Sequence, residues 1–105
     1  MTESVHVVAV LTAKPGMRPA YLEAFAKIVP EVHAEDGCLK YVVCTDTEGA
    51  GAAQTPYGED VLVVVEEWES LAHLQAHGAA PHMKAFGEAV KDMVADRKIH
   101  ILSAA

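Results

Sequence analysis

Four segments of the chain have the residue content and spacing of β-strands. They are residues 5–13, 38–45, 60–68 and 98–103. The first (VHVVAVLTA) and the third (DVLVVVEEW) are apolar at nearly every position and rich in valine, which is typical of strands covered on both faces. Residues 47–58, between the second and third strands, are rich in Gly, Ala and Pro. This composition predicts an oversized, mobile surface loop within a hairpin.

A long helix is predicted between the first two strands. Its apolar residues recur at helical spacing and form one stripe: Tyr21, Leu22, Phe25, Ile28, Val29 and Val32. Pro19 suits the first turn of this helix. Pro30 is expected to kink or split it, because proline lacks the backbone N–H and clashes with the preceding turn. Gly37 is placed to stop the helix.

Two shorter helices are predicted between the third and fourth strands. Ser70 can cap the first, which ends near Gly78, and Pro81 opens the second. The second helix has an apolar stripe at Met83, Phe86, Val90 and Met93 or Val94. The order of elements predicts an α+β fold of the ferredoxin-like β-α-β-β-α-β type, with a four-stranded antiparallel sheet. We expect residues 1–105 to form a single domain.

The apolar content of the chain predicts a homodimer. Helices cover only one face of such a sheet, yet the strands are apolar on both sides, most clearly at residues 61–65 (VLVVV). The chain is 51% hydrophobic, which is rich for 105 residues. Surplus apolar surface usually ends in an oligomer interface, and a second copy is the simplest cover for the free face.

Charge and targeting signals narrow the range of partners. The net charge is −7, from 15 acidic and 8 basic residues, with no basic cluster. Nucleic acids and anionic membrane surfaces are therefore not expected as partners. The N-terminal residues 1–4 lack a basic region typical of signal peptides, and no apolar run has the length of a membrane span. We expect a cytoplasmic location.

The histidines near the third helix are candidates for two kinds of chemistry. His73 and His77 are one helical turn apart, a spacing that can bind a metal, but the sequence offers them no further ligand set. We therefore expect no metal. His77 or His82 could instead act as a general base, since imidazole titrates near neutral pH. The structural alternative is that both bond to the backbone and fasten the turn between the helices.

Five further residues could contact a small-molecule substrate. Glu66 and Trp68 are two apart on a strand and face the same side. Trp68 would form a pocket wall against a flat aromatic substrate, or it would be a core residue without a role at a site. Glu66 would orient a neighbouring group or take a proton, or it would be an acidic residue at the end of a strand. Tyr41 could bond a substrate oxygen or lie at the rim of the core, and Met83 and Phe86 are expected in the core with one face toward a pocket.

Several short segments, in order and at compatible spacing, resemble the antibiotic biosynthesis monooxygenase family of the dimeric α/β-barrel superfamily. They are residues 13–16 (AKPG), residues 35–41 (EDGCLKY), residues 66–70 (EEWES), His77 with the pair Pro81-His82, and Phe86. Ala80 stands where the family often has Ser or Thr, and the loop at 47–58 is longer and richer in glycine than usual. The chain has no asparagine, which counts against the haem-degrading branch of the superfamily.

The resemblance implies a dimer with a pocket in each subunit, between the sheet and the helices. It also implies an enzyme of the quinol-monooxygenase kind, which uses no metal, flavin or haem and acts on a small electron-rich aromatic. His77 and His82 match the family pattern as candidates for the base. The alternatives are a non-catalytic small-molecule-binding dimer that acts as a sensor or carrier, and a haem-binding degrader.

Overall fold

The computed structural model describes residues 3–105, and its elements follow the predicted order. Strand β1 is Val5–Ala13, helix α1 is Arg18–His33, strand β2 is Cys38–Cys44 and strand β3 is Val61–Trp68. Helix α2 is Leu71–Ala79, helix α3 is Pro81–Val90 and strand β4 is Val94–Leu102. No helix within residues 3–105 is long and apolar enough to cross a bilayer.

The four strands form one sheet in the order β2-β3-β1-β4, and every adjacent pair is antiparallel. This topology confirms the predicted ferredoxin-like fold. Strand β3 brings three residues into one row across the sheet, because Glu66 lies opposite Val7 of β1 on one side and opposite Tyr41 of β2 on the other. Residues directly opposite each other on neighbouring strands point to the same face, so these three side chains lie on one face of the sheet.

The three helices pack on that side of the sheet. Every second residue of β1 and β3 is buried there, namely Val5, Val7, Ala9, Leu11 and Ala13, and Leu62, Val64, Glu66 and Trp68. Helix α1 contributes Tyr21, Phe25 and Val32 to the same core, and α3 contributes Phe86 and Val90. Burial of each large apolar side chain contributes about 1.5–3 kcal/mol to folding.

The opposite face of the sheet carries no helix. Its centre consists of valines from three strands, which are Val8, Val10, Val42, Val63 and Val65. The β1 and β3 valines are only half-buried and Val42 is exposed. The two-sided apolar pattern of these strands therefore reflects one face packed on helices and one face left open by the described chain.

One predicted element boundary was wrong, and one of the two alternatives for α1 is excluded. Helix α1 is not split but continues through Pro30 to His33. Pro30 lies in the last turn, where the backbone hydrogen bond that proline removes is close to the helix end. Strand β4 begins at Val94 rather than at residue 98. Its first residues include the exposed Asp96 and Arg97, because an edge strand that is not covered by a helix tolerates charged side chains and loses the apolar alternation.

Candidate active site

A cavity of about 850 Å³ lies between the helix-covered face of the sheet and helices α2 and α3. Its walls are largely apolar and include Val7, Ala9, Leu11 and Val64 from the sheet and Met83, Phe86 and Val90 from α3. Polar groups converge at one end, where Tyr41, Glu66 and His77 line the space. A concave apolar pocket with a few convergent polar groups is the usual form of a small-molecule site.

His77 is the polar group best placed to exchange a proton with a bound molecule. It lies in the last turn of α2 and is buried, with its Nδ1 2.8 Å from a carboxylate oxygen of Glu35. Since a carboxylate accepts the hydrogen bond, Nδ1 carries the proton in the neutral ring. Nε2 makes no hydrogen bond within residues 3–105, and His77 lines the cavity. The Nε2 lone pair is therefore not taken up by a protein donor.

Glu35 connects the two candidate histidines. It lies in the turn between α1 and β2, where the chain reverses at Gly37 with a φ of +83°. The same carboxylate oxygen that bonds His77 is 2.8 Å from Nε2 of His82, in the first turn of α3. His82 does not line the cavity. Glu35 thus fixes the orientation of both rings and fastens the α2–α3 junction to the turn before β2.

Trp68 and Tyr41 hold the His77 ring from two sides. The Trp68 ring centroid is 4.5 Å from that of His77, and the Tyr41 ring meets His77 edge-on at 5.6 Å. The indole Nε1–H donates a hydrogen bond of 2.9 Å to Glu66. Trp68 is fully buried and does not line the cavity. It therefore supports His77 and Glu66 from behind, in place of the predicted wall against the substrate.

Burial changes the proton affinities of two groups at this end of the cavity. Burial raises the pKa of Glu66, while the Trp68 hydrogen bond and the nearby His77 oppose that rise. Burial also raises the pKa of Tyr41, and the carboxylates of Glu66 and Glu35 add to this rise. The Tyr41 phenol therefore stays protonated at neutral pH and can donate a hydrogen bond to an oxygen in the cavity. Glu66 holds a proton more readily than an exposed carboxyl.

His73 and His77 face different surroundings, so they do not form the metal-binding pair considered from their spacing. The Nε2 of His73 is 3.4 Å from a carboxylate oxygen of Asp36 and 3.7 Å from one of Glu69, outside the cavity. The ligand atoms of these three residues are close enough together to hold a cation. Both carboxylates are exposed, and such groups also occur without any ion.

The structure brings most of the predicted site residues to one cavity. Tyr41, Glu66, His77, Met83 and Phe86 line it, whereas Trp68 and His82 lie one layer behind. Sequence reasoning missed Glu35, although it opens the segment EDGCLKY that carries the family resemblance. Its role depends on contacts with residues far along the chain, which no local pattern reveals.

Comparison with known proteins agrees with this fold. Residues 4–89 match the family described as "Antibiotic biosynthesis monooxygenase". The chain is 46% identical over 98 residues to "Probable quinol monooxygenase YgiN" of Escherichia coli, covering 91% of this chain and 93% of that protein. Among solved structures, PA3566 from Pseudomonas aeruginosa has a TM-score of 0.83 at 24% identity, covering 100% of this chain and 97% of that chain. This likeness concerns the fold alone.

A second solved structure carries a family description. It is a putative antibiotic biosynthesis monooxygenase from Deinococcus radiodurans, with a TM-score of 0.77 at 25% identity, covering 96% of this chain and 92% of that chain. The fold is ferredoxin-like, and the cavity has the form of a small-molecule site. The family match over residues 4–89 then establishes that the chain belongs to the antibiotic biosynthesis monooxygenase family. Membership supports a monooxygenase activity.

Proposed function

We propose that the protein is a cofactor-independent monooxygenase that oxidises a quinol or a similarly electron-rich aromatic. The observation that carries the proposal is the pairing of Glu35 with Nδ1 of His77 at 2.8 Å, which leaves Nε2 without a protein partner in a residue that lines an apolar cavity. A carboxylate that holds one ring nitrogen keeps the other available as a base and stabilises the imidazolium that forms. The similarity to a probable quinol monooxygenase is the second support.

In the proposed reaction His77 removes a hydroxyl proton from the bound quinol. The resulting anion is electron-rich enough to react with O₂ without a separate reductant, and the apolar cavity keeps the reactants together and excludes water. One oxygen atom replaces a ring hydrogen to give a C–OH group, and the O–O bond breaks. The other oxygen atom leaves as water with the two hydroxyl hydrogens of the quinol. The product is a hydroxyquinone.

The other polar groups have distinct roles in this proposal. Tyr41 donates a hydrogen bond to the substrate oxygen, since its phenol remains protonated. Glu66 also lines the cavity and either orients the substrate or receives a proton. Phe86 and Met83 contact the flat ring. Trp68 and His82 act through their contacts with His77, Glu66 and Glu35 and are positioning residues.

The enzyme is further proposed to act as a homodimer that pairs through the helix-free face of the sheet. The support is the band of valines at the centre of that face, which the described chain leaves only partly covered. Contiguous apolar surface of this kind is typical of protein interfaces.

Oxygen uptake by metal-stripped protein, with a panel of hydroquinones, tests the proposal. We expect uptake above the rate of autoxidation and a hydroxyquinone product without hydrogen peroxide. Replacing His77 with Ala should reduce kcat/KM by roughly 10²–10⁴-fold, the usual contribution of a general base. The matched control is His73→Ala, which lies one turn earlier on α2 and outside the cavity.

Four results would contradict the proposal. Quinone formation with one peroxide per turnover would identify an oxidase in place of a monooxygenase. Full activity in His77→Ala would remove His77 as the base. Tight ligand retention with no oxygen uptake would identify a binding protein, and a Soret band on adding haemin would direct attention to haem.

A further inference from the structure

The charge along the cavity differs from the charge of the whole chain. The chain has 15 acidic and 8 basic residues. The cavity reverses this balance, since its charged lining residues are Lys84, Lys91 and Arg97 with Glu66 as the carboxylate. Lys91 is paired with Glu88 at 2.8 Å. Lys84 and Arg97 form no salt bridge within residues 3–105. Their positive charges are therefore free to act on a ligand.

Arg97 lies away from the proposed base. Arg97 of β4 is opposite Leu11 of β1, and Glu66 of β3 is opposite Val7 of β1, so both side chains point to the same face of the sheet. Four residues separate Leu11 from Val7, which corresponds to about 13 Å along the strand. Ile99, which is opposite Ala9, lines the cavity between the two levels. The cavity thus has a proton-transfer end and a cationic end, joined by an apolar middle.

The positive charge of Arg97 acts on a residue that lines the cavity. Its positive charge acts on the buried Tyr21 phenol and opposes the rise in pKa that burial causes there. Tyr21 and Arg97 both line the cavity. The cavity volume of about 850 Å³ is also near the upper end of small-molecule pockets, which span roughly 300–1,000 Å³. A bicyclic quinol without a side chain, bound with its ring at His77, would leave the Arg97 end of the cavity unoccupied.

We propose that Arg97 binds a carboxylate carried on a side chain of the substrate, so that the substrate is an acidic quinol. This inference rests on the proposed function and names the substrate class of the same cavity. The guanidinium presents a planar pair of N–H donors that matches the two oxygens of a carboxylate.

Two matched ligands test the proposal without requiring turnover. They are a 1,4-naphthoquinone with a propanoate side chain and the corresponding primary amide, which differ in charge and little in shape. Binding is followed by quenching of Trp68, the single tryptophan of the chain, which stacks on His77. We expect the wild-type protein to prefer the carboxylate by about tenfold, as a charge-assisted bond near solvent provides. Raising the ionic strength should reduce that preference.

Two variants locate the effect. Arg97→Met should abolish the preference. The matched control is Lys98→Met, because Lys98 is the next residue on β4 but faces the opposite side of the sheet, opposite Val10. Arg97 is exposed, so its replacement should leave the melting temperature nearly unchanged. The salt dependence of the wild-type protein tests the same point without any substitution.

The outcomes separate the two proposals. Equal affinity of the wild-type protein for both ligands, or a preference that persists in Arg97→Met, would overturn the carboxylate site and leave the monooxygenase proposal intact. If neither ligand bound and no hydroquinone caused oxygen uptake, the proposed function would fail, and the carboxylate site with it.

Discussion

The carboxylate of Glu35 and the imidazole of His77 meet at 2.8 Å, although 42 residues separate them in the chain. The carboxylate comes from the turn between α1 and β2, and the imidazole comes from the last turn of α2. His82 reaches the same carboxylate oxygen from α3. One carboxylate therefore sets the tautomer of His77 and links three parts of the chain. Variants of Glu35 are needed to separate its proposed effect on catalysis from its effect on stability.

Replacing Glu35 with Gln should lower kcat/KM by roughly a hundredfold, within the range that proton-transfer groups contribute. The loss should fall on kcat and leave KM little changed, because Glu35 contacts His77 but does not line the cavity. Glu31→Gln, on the exposed surface 4.0 Å from His82, is the control. A loss that fell mainly on KM, or that was explained by a lower melting temperature, would indicate a merely structural role for Glu35.

Replacing Glu66 with Gln should make the stability of the protein depend less on pH. Burial raises the pKa of Glu66 above its ordinary value of 4.5. Its protonated form therefore favours the fold, a contribution present below pH 4.5 and lost as the pH rises through the raised pKa. The free energy of unfolding of Glu66→Gln, from urea denaturation, should gain on that of the wild type between about pH 4 and pH 7. A difference that stays constant with pH would argue against this linkage, and Glu67→Gln on the open face is the control.

Replacing Val10 with Lys should convert the proposed dimer to a monomer. Val10 lies at the centre of the helix-free face, between Val63 and Lys98 of the adjacent strands. A charged group buried in an apolar interface without a partner costs several kcal/mol. Light scattering coupled to gel filtration should report a dimer for the wild type and for Ala76→Lys, which places the same charge on the exposed surface of α2. A wild-type protein that elutes as a monomer would refute the dimer directly.

Replacing Gly37 with Ala should destabilise the protein more than replacing Gly16 with Ala. Both glycines have positive φ, +83° and +77°, and each substitution introduces strain of about 1–3 kcal/mol. A Cβ at Gly37 would in addition overlap the His73 ring, whereas a Cβ at Gly16 meets nothing within 4 Å. Urea denaturation of the two variants isolates this overlap. Adding His73→Ala to the Gly37→Ala variant should restore part of the loss, and no recovery would show that the backbone strain alone is responsible.

The sequence alone was sufficient for the fold and for much of the cavity lining. The valine-rich strands, the helical stripes and the capping residues are local patterns, and local backbone preferences and side-chain periodicity translate them directly into elements. The two-residue spacing of Glu66 and Trp68 on β3 placed both side chains on one face, and the stripe of α3 placed Met83 and Phe86 toward the core. The segments that resemble the family added Tyr41, His77 and His82 as candidates.

Only the tertiary structure decided where each of these residues lies relative to the cavity. Trp68 lies behind His77, His82 lies behind Glu35, and Arg97 enters the cavity from an edge strand whose start the apolar pattern missed. These relationships depend on strand register and on the packing of α2 and α3 over the sheet, which are contacts between residues far apart in the chain. Such contacts leave no periodic trace in the sequence, because a long-range pairing constrains two positions without altering the spacing around either one.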